Sequence, residues 1–138
     1  MAVNRDGSPE RVKILLDTNA LMMPMQFQID LLNELRMLLG AFEPLVLTGV
    51  IGELTGISRA KGRDGAAARH GLVLCEKCTI VERGELQSES IDAQMIEYAA
   101  RNACMVVTND RRIRNALLTR GISVISMRNQ KKLEILRR

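Results

Sequence analysis

Short apolar runs separated by stretches of helical spacing constrain this chain more than any other feature. Val12–Leu16, Leu45–Leu47, Thr79–Val81, Cys104–Thr108 and Ile122–Ile125 are too short for helices. The continuous runs among them suit strands covered on both faces, as in a parallel sheet. Between the first two, Gln26–Leu39 places Ile29, Leu32, Leu35, Leu38 and Leu39 at helical spacing and closes on Gly40. Pro44 precedes the second strand, and Thr48-Gly49-Val50 leads into a helix through about Ala60. Lys61–Asp64 is a polar turn, followed by a helix from Gly65 to Cys75. Gly84–Glu89 is a loop, and a helix runs from Ser90 or Ile91 to Asn102. A further helix, Asp110–Thr119, is capped by Gly121, and Met127–Arg138 is expected to add an irregular segment or a short helix.

Strands alternating with helices imply right-handed βαβ units and a three-layer α/β/α sandwich. The first and fourth runs are the most continuous, so they belong at the sheet centre. This predicts about five parallel strands in the order 3-2-1-4-5. The 138 residues suffice for one core. The expected organisation is a loose terminus at residues 1–10 and a single domain at 11–138. No apolar stretch approaches the ~20 residues of a membrane span, and Met1–Arg11 lacks the apolar block of a signal peptide. A cytoplasmic protein is the expectation.

Four carboxylates stand at the strand–helix junctions. Asp17 ends the first apolar run, and Asp110 follows the fourth after Thr108 and Asn109. Glu53 lies one turn into the helix after Leu45–Leu47, and Asp92 sits near the start of the helix before Cys104. In a parallel sheet all four fall near the carboxyl ends of the strands, where ligands bind at the topological switch point. Acids gathered there repel one another unless a cation sits between them. A hard divalent ion, Mg²⁺ or Mn²⁺, resolves the conflict and suggests phosphoester chemistry. Each acid also has a local explanation. Asp17 could form a turn, Asp110 could cap a helix, Asp92 could favour a helix N-terminus, and Glu53 could be solvated. The joint placement outweighs these, because structural caps could fall at either sheet edge.

Charge and cysteine usage narrow the chemistry further. Residues 110–138 hold nine Lys/Arg against two acids, a net of +7. The whole chain carries +4, so the remainder carries −3. A basic segment beside an acidic site suits a polyanion whose scissile phosphate meets metal while its flanks meet Arg and Lys. A solvated basic helix face is the plainer alternative. Aromatics are only 2%, with Tyr98, Phe27 and Phe42 as the only rings, which argues against base-stacking sheets. His70 is the sole histidine, so a two-histidine mechanism is excluded. Cys75 and Cys78 spell a single C-x-x-C, a weak zinc signal, and they read with Cys104 as buried or half-buried thiols.

Ile14-Leu15-Leu16-Asp17-Thr18-Asn19-Ala20, the helix with Glu53-Leu54, Ile91-Asp92-Ala93 and Val106-Val107-Thr108-Asn109-Asp110-Arg111 together resemble the PIN-domain ribonucleases. The resemblance covers about residues 12–126. The phrases around Met23–Phe27 and Gly121–Arg128 are similar to archaeal PIN proteins that resemble small-subunit rRNA-processing endonucleases. It implies a Rossmann-like fold and a metal-dependent endoribonuclease acting through a metal-activated water. By position it implies Asp17, Glu53, Asp92 and Asp110 as catalytic metal ligands. Thr18 and Thr108 would orient a water or phosphate oxygen, with Asn19 and Asn109 supporting the ligands. Arg111, Arg112 and Arg114 could grip flanking phosphates. One departure is Ile91, where relatives often carry a second adjacent acid, and it bears on the number of metals.

Single-stranded RNA is the expected substrate, and rRNA processing is one setting. A toxin-type PIN ribonuclease, paired with an antitoxin, is the first alternative. A non-catalytic PIN-like module binding RNA or protein is the second, and a phosphotransfer receiver domain is disfavoured because Asp17 lacks an adjacent acid. A second copy of the chain is a candidate partner, with the apolar Leu21–Phe27 loop as interface or, equally, as core.

Overall fold

The computed structural model describes residues 11–137. The terminus expected at residues 1–10 lies outside them. The elements in chain order are β1 (Val12–Leu16), α1 (Thr18–Phe27), α2 (Leu31–Leu39), β2 (Phe42–Leu47), α3 (Thr48–Ser58), α4 (Arg63–Cys75), β3 (Thr79–Val81), α5 (Ile91–Asn102), β4 (Met105–Val107), α6 (Arg111–Thr119), β5 (Val124–Arg128) and β6 (Lys132–Leu136).

One sheet carries six strands in the order β3-β2-β1-β4-β5-β6. The first five are parallel, in the expected order, and β6 runs antiparallel to β5. β1 is central, with Ile14, Leu15 and Leu16 fully buried. It pairs with β2 through Leu15↔Leu45 and with β4 through Leu16↔Val107. Pro44 is tolerated in β2 because β3 pairs only from Leu45 onward, so the missing N–H lies where the sheet is still forming. α1 and α3 both pack on α4, whereas α5 packs on α6. Right-handed crossovers put these two groups on opposite faces of the sheet.

Two segments differ from the expectation. The stretch read as a Leu21–Phe27 loop is helical, and Gln26–Leu39 is not one helix. Pro24 stands inside α1, and Ala20 to Pro24 are all buried. An almost uniformly apolar helix lacks the alternation of faces that reveals a surface helix. Gln28, with φ of 54°, ends α1 by donating its N–H to the Pro24 carbonyl. Asp30 then caps α2. The Met22 and Met23 side chains belong to the core, and of the methionines in this stretch only Met25 is markedly exposed.

The second difference is the C-terminus. Met127–Arg138 was expected to be irregular or a short helix, but β5 continues to Arg128 and β6 returns beside it. Residues 132–136 read Lys-Leu-Glu-Ile-Leu, and Leu133 is buried. This polar–apolar alternation suits an edge strand with one covered face. The turn lacks the Asn-Gly or Asp-Gly signature that marks such hairpins in sequence. Instead Asn129 and Gln130 occupy the left-handed region, with φ of 53° and 58°.

Cys75 and Cys104 are buried and Cys78 half-buried, all free. Burial pushes the Cys78 thiol up to about 12 and Cys104 to about 11. They are inert thiols at neutral pH. His70 is exposed on α4. Among the described residues no helix is long and apolar enough to cross a membrane.

Candidate active site

Parallel strands deliver helix N-termini to one rim, and the acids follow them. Asp17 directly follows β1 and is the N-cap of α1, its Oδ1 accepting from the Ala20 N–H at 2.6 Å. Its own N–H donates to the Val107 carbonyl at 3.4 Å, which ties it to the end of β4. The side chain is only 2% exposed, yet Oδ2 has no hydrogen-bond partner among the described residues. Burial pushes this carboxyl from 3.8 up to about 7. The negative charges of Asp110 and Asp92 raise it further, while the Thr108 hydroxyl and the Ala20 N–H oppose the shift. The relief from Thr108 is partial, since no hydrogen bond closes on Oδ2. A buried acceptor without a partner is costly.

Asp110 caps α6. Its Oδ1 accepts from the Arg112 and Ile113 N–H groups at 2.9 and 3.2 Å. Its own N–H donates to Thr108 Oγ1 at 3.0 Å. Thr108 is fully buried, and its N–H donates to the Ile125 carbonyl at 3.0 Å. The loop that carries Asp110 is therefore fixed at both ends. Asn109 adds a cross-link: its Oδ1 accepts from Ser126 Oγ at 3.0 Å and from the Met127 N–H at 2.8 Å.

Glu53 reaches the same neighbourhood from α3, its Oε1 accepting from Thr18 Oγ1 at 2.7 Å. Asp92 lies in the first turn of α5, behind the Ser90 cap. Gln94 and Glu97 hold the preceding loop: Gln94 Nε2 donates to the Ser88 and Glu89 carbonyls, and Glu97 accepts from the Gln87 and Ser88 N–H groups. Gly49 permits α3 and the start of α5 to approach, because a Cβ there would lie 2.9 Å from Ile91 Cγ1. Between α5 and α6 an open cavity of about 440 Å³ is lined by Ser90, Asp92, Asp110 and Arg112, with Ile96 and Ile113 as apolar wall.

Asp17, Asp92 and Asp110 thus share one electrostatic environment, and Glu53 joins it through Thr18. Thr108 and Asn109 engage the loop around Asp110, whereas Asn19 is exposed and makes no side-chain hydrogen bond among the described residues. Of the three arginines, Arg112 lines the cavity; Arg111 and Arg114 lie outside its lining. A second cavity, about 650 Å³ beside Arg11, Arg36, Phe42 and Lys77, involves the opposite ends of β1 and β2 and touches none of the four acids. Arg128, Lys131 and Lys132 belong to the basic segment expected beside the acids but were not singled out in it; the unexpected hairpin fixes Lys131 and Lys132 at this rim.

Among the described residues no three His, Cys, Asp or Glu side chains close into a ready-made metal cage. Mg²⁺ does not require one: it keeps several waters and takes one or two carboxylates plus phosphate oxygens. The all-oxygen donor set and the unpartnered Oδ2 of Asp17 fit such a hard ion.

Comparisons with known proteins bear on family and fold. The model of a PIN like domain matches residues 14–130. The chain is 31% identical over 120 residues to Ribonuclease VapC9 of Archaeoglobus fulgidus, covering 86% of this chain and 85% of that relative. The structure of the PIN domain endonuclease Utp24 superposes with a TM-score of 0.74 at 23% identity, over 91% of this chain and 92% of that one. VapBC2 from Rickettsia felis, solved bound to a DNA fragment from its promoter, gives a TM-score of 0.63 at 15% identity, over 85% and 100% of the two chains. The last two likenesses concern the fold. With the family match spanning most of its length and a relative above 30% identity, the chain belongs to the PIN-like domain family.

Proposed function

We propose that this protein is a divalent-metal-dependent endoribonuclease that hydrolyses phosphodiester bonds of single-stranded RNA. The observation that carries the reading is the buried, unpartnered Oδ2 of Asp17 beside Asp92 and Asp110. A structural cap needs neither burial of its second oxygen nor two further acids. Asp17 and Asp110 would hold Mg²⁺ or Mn²⁺, with Glu53 and Asp92 completing the site directly or through water. An ion held there would supply Lewis-acid chemistry, polarising a bound water and the phosphate oxygens.

The remaining roles belong to the chain itself. Thr108 fixes the Asp110 loop from below, and Thr18 holds Glu53 in one rotamer through its hydroxyl. Arg112, on the wall of the cavity, supports a phosphate next to the one being cut. Arg111 and Arg114 extend that contact along the strand. No side chain serves as nucleophile, and the single exposed histidine lies on α4, which is not an element of the cavity.

Asp17→Asn is expected to abolish cleavage of a single-stranded RNA in Mn²⁺ while the circular dichroism spectrum stays unchanged. Full activity in that variant would sink the reading. The non-catalytic alternative predicts metal-indifferent RNA binding without product. The likeness to Ribonuclease VapC9 supports ribonuclease activity, and a toxin-type role with an antitoxin partner is one setting for it. Processing of rRNA is the other setting; the likeness to Utp24 concerns the fold and does not choose between them.

A further inference from the structure

β5 runs parallel to β4, so its carboxyl end arrives at the rim that holds the acids. The hairpin turn after it therefore projects beside the site, not away from it. The link is direct: the Met127 N–H lies 2.8 Å from Asn109 Oδ1, one residue before Asp110. Ser126 Oγ closes a second bond on the same oxygen. The turn itself is strongly basic. Arg128 stands opposite Lys132, with Asn129, Gln130 and Lys131 between them. All five residues are exposed. The Lys131 N–H donates to the Arg128 carbonyl at 3.1 Å, which holds the loop in one shape. Among the described residues only Arg128 has an acidic partner, Glu134 at 3.8 Å, and the Arg128 side chain is 69% exposed there. Such a pair contributes little. Lys131 and Lys132 have no ion pair among the described residues.

Three cations on a fixed turn, latched to a catalytic loop, need a reason. A structural turn would favour Asn-Gly at the two left-handed positions, and like charges facing across a ladder destabilise it. The acids on the same rim repel RNA, so an RNA strand needs compensating charge next to them.

We propose that the β5–β6 hairpin tip, through Arg128, Lys131 and Lys132, grips the phosphates of the RNA flanking the scissile bond, and that Asn109 latches this grip in register with Asp110. The inference rests on the ribonuclease reading. It adds a second phosphate-binding element, separate in sequence from the arginines at the start of α6. A strand held at both places spans the crevice, which favours cutting within a chain over trimming at an end.

The test uses the full chain, a fluorescent single-stranded RNA of mixed sequence, and Mn²⁺. In an Arg128→Gln/Lys131→Gln/Lys132→Gln variant, KM is expected to rise about 10-fold at moderate salt, and the slope of log affinity against log salt to fall by about 2, at ~0.7 per lost contact on a single strand. The value of kcat at saturating RNA should stay within about twofold, which a merely structural defect would not do. If the triple variant does not fold, Lys131→Gln alone carries the same measurement, with a slope change of about 0.7. A variant that binds RNA with unchanged affinity and salt slope, while the wild type cuts, overturns the hairpin grip and leaves the tip to a partner protein. A wild type that cuts no RNA overturns the ribonuclease reading and this inference with it.

Discussion

The Asp17 carboxylate concentrates the physical conflict of the molecule in one side chain. Without metal, its raised pKa means that the folded protein keeps a proton which the unfolded chain releases above about 3.8. The stability contributed by that proton is full below the unfolded value and is lost as pH rises through about 7. At pH 8 the folded state must carry a buried, unpartnered negative charge. In chelator-treated protein, Asp17→Asn is therefore expected to raise unfolding free energy by about 2–4 kcal/mol at pH 8, with the gain vanishing near pH 4. Urea denaturation at the two pH values measures this. Mn²⁺ at about 100 times its Kd should stabilise the wild type by ~2.7 kcal/mol and leave the variant unmoved. An equal response of the two proteins would show that the ion binds elsewhere.

The elements around the site are placed by contacts that single residues permit. Gly49 is the clearest case, since it lets α3 approach the start of α5, where Asp92 stands. Alanine at this position gains roughly 1 kcal/mol of helix propensity but forces a Cβ against Ile91. Overpacking of this kind costs about 1–3 kcal/mol. Gly56, in the same helix, has open space around its Cβ position. Gly56→Ala should thus stabilise the protein, by up to about 1 kcal/mol, with cleavage unaltered. Gly49→Ala should lower Tm relative to Gly56→Ala and reduce kcat, because α5 carries Asp92 away with it. Melting curves and cleavage assays on the pair check the argument; identical behaviour would mean that Ile91 simply rotates aside. Pro24 and the hairpin show the opposite relation, in which an element forms against its local signal because packing covers its apolar residues.

At the scale of the whole molecule, charge is segregated. The last 29 residues carry +7 and the rest −3. The fold turns this linear asymmetry into a rim where an acidic crevice meets α6 and the hairpin tip, both basic. Such a surface steers a polyanion toward the acidic crevice, and the attraction weakens as salt rises. It would equally attract an acidic protein, which is how an antitoxin-type partner could restrain the enzyme. If the toxin-type role applies, expression of the wild type alone should arrest growth of a host while Asp17→Asn does not, and a neighbouring-gene product should co-purify with both. Growth without arrest, and a chain that elutes unpartnered, would favour the processing role. Exposed Met25, Met37, Val73 and Ile80 are scattered over four elements, so they do not by themselves define a dimer face.

The sequence by itself determined the alternation of strands and helices, the order of the five parallel strands, and the position of every junction acid. These follow from local rules: a short apolar run makes a strand, and a parallel sheet sends each following residue to the same rim. Tertiary structure decided the rest. It made 18–27 a helix despite Pro24, because an all-apolar segment can be stabilised only by the neighbours that bury it. It converted the C-terminal segment into β6, because an edge strand needs a partner to pair with. And it set Asp17 apart from the other acids: any of the four could have capped a helix, but the closure of β1 against β4 removed water from one carboxylate alone.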